Sequence, residues 1–167
     1  ITLSGKKLHS KRNFINRFQA EHEGGWSFEA ITPENIDECW SMNTRWCEQN
    51  GCGEDPSLME ELCAVRNCFE NFSALGLRGG LLRVDGRVVA YTMGLPLNAD
   101  TFIVHIEKAF SDVAGAYPMI NREFAAHNCA GFKYVNREDD VGDEGLRRAK
   151  LSYKPAILLE KFIVTEQ

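Results

Sequence analysis

The stretch LRGGLLRVDGRVVAYTMGLPLNADTFIVHIEK, residues 77–108, carries the pattern on which the fold turns. Leu77 to Val84 and Arg87 to Leu95 are rich in apolar and β-branched residues, and Asp85-Gly86 separates them. An Asp-Gly pair between two such runs predicts a hairpin closed by a type I′ turn, because both turn positions need a positive φ. Thr101 to Lys108 follows as a third strand, so the segment reads as an antiparallel meander. Along that third strand, period-two alternation puts Phe102, Val104 and Ile106 on one face and Ile103, His105 and Glu107 on the other.

Upstream of the meander, Trp26 to Ile31 alternates as a half-buried strand does, and Thr32-Pro33 opens a helix that Gly51 ends. Asp55-Pro56 repeats the cap-then-proline signal, and Leu58, Leu62, Val65, Phe69, Phe72 and Leu75 follow at steps of four and three. Gly5 to Glu23 is a helix at looser spacing, stopped by Gly24-Gly25. Downstream, Gly115 introduces a helix with Pro118 in its first turn, and Gly131 closes it. Phe132 to Asn136 is a short strand, Gly142 to Tyr153 a helix rich in Arg and Lys, and Ala156 to Val164 a last strand beyond Pro155. The order is strand, helix, helix, three strands, helix, strand, helix, strand, after one extra helix. That is the order of the GNAT-like (acyl-CoA N-acyltransferase) α/β fold, a mixed β-sheet flanked by helices. Residues 1–24 are expected to form a linking helix from an upstream domain, and residues 25–167 the GNAT-like domain itself.

At 167 residues and 44% hydrophobic content the chain can fill one core. Its longest apolar runs fall far short of the roughly 20 residues needed to cross a bilayer. The first residues carry no signal-peptide pattern, so a cytoplasmic location is expected. A net charge of −5 argues against a DNA binder, yet Lys6, Lys7, Lys11, Arg12 and Arg17 all precede the first acidic residue, Glu21. That basic stretch suits an anionic partner such as charged tRNA or lipid headgroups, or is the solvated face of a linking helix. Cys47 and Cys52 are separated by four residues, as are Cys63 and Cys68, with no His near either pair. No metal site is expected from that spacing, and the cysteines read as reduced thiols serving as small apolar residues.

Four motifs resemble a known family: KKLHSKRNFINRF at 6–18, HIEKA at 105–109, VNREDDVG at 135–142 and GLRRAKLSYKP at 145–155. Together they resemble the C-terminal domain of phosphatidylglycerol lysyltransferases and the soluble two-domain bacterial proteins grouped with them, relatives of the Fem-type aminoacyltransferases. The resemblance implies tandem GNAT-like domains, of which this is the second, with the upstream domain as its partner. It also implies transfer of an aminoacyl group from charged tRNA to a hydroxyl or amine. The membrane spans of the lipid enzymes have no counterpart here.

Chemistry is expected at three places. Acetyl-CoA-using GNAT enzymes hold a pyrophosphate on a Gly-rich loop before the helix after the meander, by backbone N–H groups and the helix dipole. Here Gly115 and Ala116 leave open backbone for such a cofactor, but Asp112 and Tyr117 replace the usual Gln or Arg and small residue. An aspartate repels pyrophosphate, which tilts the donor from acetyl-CoA or another acyl-CoA towards aminoacyl-tRNA. On the third strand, Glu107 is a candidate general base with His105 beside it. Pairing of Glu107 with Arg122 or Arg137 as a structural ion pair is the competing reading. After the short strand, Asn136 and Arg137 suit a carboxylate or phosphate, and Glu138 and Asp140 an ammonium group. Asp139 and Asp140 suit a helix cap equally. Arg147 and Lys150 share a helix face suited to tRNA or a phosphate-bearing acceptor, or equally are surface cations near a helix C-terminus, and Tyr153 is a candidate proton donor or a buried tyrosine with a satisfied hydroxyl. No Ser-His-Asp or Cys-His signature appears, so acyl transfer is expected by direct attack within a cleft. A non-catalytic ligand-binding half of a tandem protein is the alternative.

Overall fold

In the computed structural model, which describes residues 3–162, 164 and 165, Asp85 and Gly86 have φ values of 47° and 80°. They close the hairpin between β2 (Arg78–Val84) and β3 (Arg87–Pro96) as the turn type demands. β1 (Trp26–Ala30) pairs antiparallel with β2, and β4 (Thr101–Ala109) antiparallel with β3. The short β5 (Tyr134–Asn136) joins β4 in parallel, giving one mixed sheet in the order β1-β2-β3-β4-β5. The expected GNAT-like architecture is therefore present.

Helices cover both faces of this sheet. One face carries α2 (Ile36–Asn50) and α3 (Pro56–Glu70): Tyr91 packs against Phe69, and its hydroxyl donates to Asn43 Oδ1 at 2.7 Å. The other face carries α4 (Ala116–Asn128), whose Phe124 meets Phe102 edge to face at 5.7 Å between ring centres. On the outer side of α4 lies α1 (His9–Glu21), with Ile15 and Phe18 fully buried. The helix expected to serve as a link is thus part of this domain's core. A short α5 (Glu144–Leu151) follows β5.

Several expectations need correction. Cys47 and Cys52 are joined by a disulfide, their Cα atoms 5.0 Å apart. Gly51 takes the left-handed conformation at φ 71°, and the chain folds back so that the Cys52 N–H donates to the Cys47 carbonyl. That return is a C-cap event, which cysteine spacing does not report. The α2 helix begins at Ile36 rather than at Pro33, because Asn35 takes the cap position and its side chain bridges the Thr32 N–H and the Ala30 carbonyl. Asp143, not Asp139 or Asp140, caps α5 by accepting from the Leu146 N–H.

The last strand, Ala156 to Val164, does not form among the described residues of that segment; Ile163 lies outside them. Leu158, Leu159 and Phe162 are exposed there. An apolar run becomes a strand only against a partner edge, and β5 offers three residues of ladder.

The buried Tyr91–Asn43 pair gives a first test. Tyr91→Phe should lower stability by about 1–3 kcal/mol, since it strips the acceptor's partner at a buried position where Asn43 Nδ2 has no partner among the described residues. Urea unfolding of the variant checks this, and an unchanged midpoint would contradict it.

Candidate functional site

A bulge in β4 sets the geometry. Met93 pairs with Ile106 but Gly94 pairs with Val104, which leaves His105 as the extra residue. Such an insertion reverses the alternation of side chains across it. Phe102 and Glu107, expected on opposite faces, therefore both meet α4, through Phe124 and Asn121 respectively. The expectation that His105 and Glu107 stand side by side on one face is overturned for this reason.

Parallel pairing of β4 with β5 stops at Ile103 and Asn136, and beyond that point the chains part. Asn136 Oδ1 accepts from the Glu138 N–H at 2.8 Å, and Glu138 adopts a left-handed φ of 56°. This tight Asx turn sends Arg137 and Glu138 in different directions. Arg137 Nη2 donates to Glu107 Oε1 at 2.6 Å, and Asn121 Nδ2 donates to Glu107 Oε2 at 2.9 Å. Glu138 Oε1 meets His105 Nδ1 at 2.7 Å. A carboxylate oxygen only accepts, so Nδ1 carries the proton, and in the neutral imidazole this leaves the lone pair on Nε2.

Tyr153 floors the Arg137 side, with the Arg137 guanidinium 4.8 Å and the Lys11 ammonium 4.3 Å from its ring centre. Burial pushes the Tyr153 hydroxyl up to about 12, so it stays protonated at neutral pH. Lys150 turns back from α5 to donate to the carbonyls of Arg137, at 2.6 Å, and Asp139. Burial and the nearby Arg137 charge lower the pKa of both Lys11 and Lys150.

Of the residues singled out from sequence, the structure links Glu107, Lys150 and Tyr153 to Arg137, and His105 to Glu138, whose turn Asn136 holds. Glu107 takes Arg137, not Arg122, as its ion-pair partner, since Arg122 pairs with Glu123. Arg147 and Asp140 are bound to each other at 2.6 Å on the exposed side of α5. There Arg147 and the Gly142 N–H hold the Asp140 carboxyl down at about 2. Arg147 and Lys150 thus do not act on a common partner.

Gly115 and Ala116 are not the open loop that was expected. A Cβ on Gly115 would lie 2.5 Å from the Phe14 carbonyl oxygen and 3.0 Å from Phe18 Cβ, so α1 fills that side of the turn. Ala116 is buried and its N–H donates to the Val113 carbonyl. Sequence reasoning missed Lys11 and Asn121 as neighbours of the site. Lys11 stood out only as one of a basic run, and Asn121 on α4 carries no local signal at all.

Residues 1–165 match the family model described as "Phosphatidylglycerol lysyltransferase, C-terminal". A conserved protein of unknown function from Bacteroides thetaiotaomicron, of solved structure, is 46% identical with a TM-score of 0.90, over 94% of this chain and 53% of that one. The C-terminal domain of a protein of Agrobacterium fabrum, provisionally described as a lysylphosphatidylglycerol synthetase, is 17% identical with a TM-score of 0.64, over 92% of this chain and 53% of that one. An uncharacterised protein of Mycoplasmoides gallisepticum is 25% identical over 98% of this chain and 52% of its own length. The chain therefore spans about half the length of these relatives. Several solved acetyltransferases share its fold at 7–12% identity, which bears on the fold alone.

Proposed function

Because the chain belongs to the family of phosphatidylglycerol lysyltransferase C-terminal domains, we propose that it is an acyltransferase that moves an aminoacyl group from charged tRNA to a hydroxyl or amine. The observation that carries this reading is the His105–Glu138 pair held at the opening between β4 and β5, with Glu107 and Arg137 paired beside it. Glu138 orients the imidazole with Nε2 free, the arrangement of a general base. His105 Nε2 removes the proton from the acceptor hydroxyl or amine as that atom attacks the ester carbonyl of the donor. The ester C–O bond then breaks, and the imidazolium returns the proton to the departing ribose oxygen. Arg137, fixed by Glu107, and the protonated Tyr153 hydroxyl serve as donors for charge developing on the carbonyl oxygen. In this reading Glu107 positions Arg137, and the general-base role passes to His105.

The covered turn at Gly115 and the aspartate at 112 favour this donor over acyl-CoA. In line with relatives about twice as long, we place the chain as the second of two GNAT-like domains, with the upstream one completing the protein. Incubation with a labelled pool of aminoacyl-tRNAs and hydroxyl or amine acceptors, with acetyl-CoA in parallel, tests the reading. Label should pass to the acceptor from tRNA. Transfer from acetyl-CoA alone would replace this reading with acetyl transfer, and turnover of neither donor would leave a ligand-binding half.

A further inference from the structure

Arg137 contributes more to this opening than its bond to Glu107. Its Nη1 is buried and has no hydrogen-bond partner among the described residues. Buried donors are almost always paired, so an orphan of this kind asks for an acceptor that the chain itself does not supply. Two further cations flank it. Lys11 comes from α1 and shares the Tyr153 ring with Arg137, and it forms no ion pair among the described residues. Lys150 comes from α5 and spends two of its three N–H groups on backbone carbonyls. Both lysines lie within reach of the charges of Arg137 and Glu107, which places all four groups in one locality.

Three cations from separate elements converge here. Lys11, Arg137 and Lys150 meet around Glu107, and the carboxylates of Asp139 and Glu138, bound to Lys161 and His105, also act on Lys150. Three converging cations repel one another, and the fold carries that cost where an anion relieves it. Donors arriving from α1, α5 and the turn after β5 suit the tetrahedral oxygens of a phosphate better than a flat carboxylate.

We propose that Lys11, Arg137 and Lys150 form a binding site for a single phosphate group, with Arg137 Nη1 as its central donor. The site takes over the task that a glycine-rich turn at the start of α4 would perform, a place where Phe14 and Phe18 now lie. It rests on the same opening as the proposed reaction, but binding is read without turnover.

Calorimetry with inorganic phosphate at low ionic strength, with acetate as the flat comparison anion, tests the site. Wild-type protein should bind phosphate saturably and acetate weakly. Lys11→Met and Lys150→Met should each weaken phosphate binding by about tenfold, the order expected for one lost charge-assisted hydrogen bond. Lys154→Met, at an exposed cation without an ion pair among the described residues, should leave it unchanged. Lys11 supports no backbone carbonyl among the described hydrogen bonds, so its variant keeps the test clear of any disturbance of the 137–139 turn. Competition by CoA or by an oligonucleotide with a CCA end supports the site and names the carrier of the phosphate. The proposal is overturned by absent phosphate binding in the wild type, by acetate binding as tightly, or by an equal loss in Lys154→Met. Phosphate binding that survives while aminoacyl transfer fails would overturn the functional reading alone.

Discussion

Gly94→Ala should cost about 4 kcal/mol or more of stability, beyond the range of ordinary substitutions. A Cβ at this position would lie 2.0 Å from the Ile103 carbonyl oxygen, 3.0 Å from the Ile103 carbonyl carbon and 2.9 Å from a Phe102 ring atom. Two of those three atoms are backbone of β4, the central partner strand, so no side-chain rotation relieves the clash. Relief requires β3 and β4 to separate at the bulge, and that would also displace Phe102 from Phe124 beneath it. Gly53→Ala is the matched control, since its Cβ would meet nothing within 4 Å among the described residues and its φ is not positive. It should stay within about 0.5 kcal/mol of wild type. Urea unfolding of both variants measures the difference. A Gly94→Ala protein as stable as the control would mean that β3 and β4 do not approach so closely there.

His105→Gln should lower aminoacyl transfer by about a hundredfold or more, the scale of a lost general base, with melting unaltered because the side chain is largely outside the core. Glu138→Gln should lower it by about tenfold, since the imidazole keeps its chemistry and loses its orientation. The order of the two effects matters. A carboxylate that merely anchored the 137–139 turn would damage stability before rate, whereas one that orients the base damages rate alone. Steady-state rates with saturating donor, alongside thermal melts, separate these cases. Equal rates for His105→Gln and wild type would remove His105 from the reaction and return attention to Glu107.

Much of the architecture is carried by local signals. Asp85-Gly86 specifies a turn because both positions need a positive φ, and Asp55-Pro56 specifies a helix start because an aspartate caps and a proline needs no N–H there; the structure has both. The motifs around residues 105–109, 135–142 and 145–155 contain His105, Glu107, Arg137, Glu138, Lys150 and Tyr153, which the structure joins in pairs. Other features escaped because they depend on a count or a contact that no single segment contains. One extra residue in β4 moves Glu107 to the face of α4, and only the pairing with β3 shows that His105 is the extra one. The Cys47–Cys52 bond depends on the backbone turning at Gly51.

By itself, then, the sequence determined the order of the elements as far as α5, the antiparallel meander, and the helix caps at Asp55 and Gly115. Those properties follow from backbone preferences and hydrophobic period, which act within a few residues of each other. Tertiary structure alone decided which carboxylate pairs with which cation, that Lys11 of α1 reaches Tyr153 after α5, and that α1 fills the turn before α4. Each of these is a meeting of side chains far apart in the chain. Such meetings are fixed by how a bulged sheet and its covering helices pack, and local pattern holds no record of that.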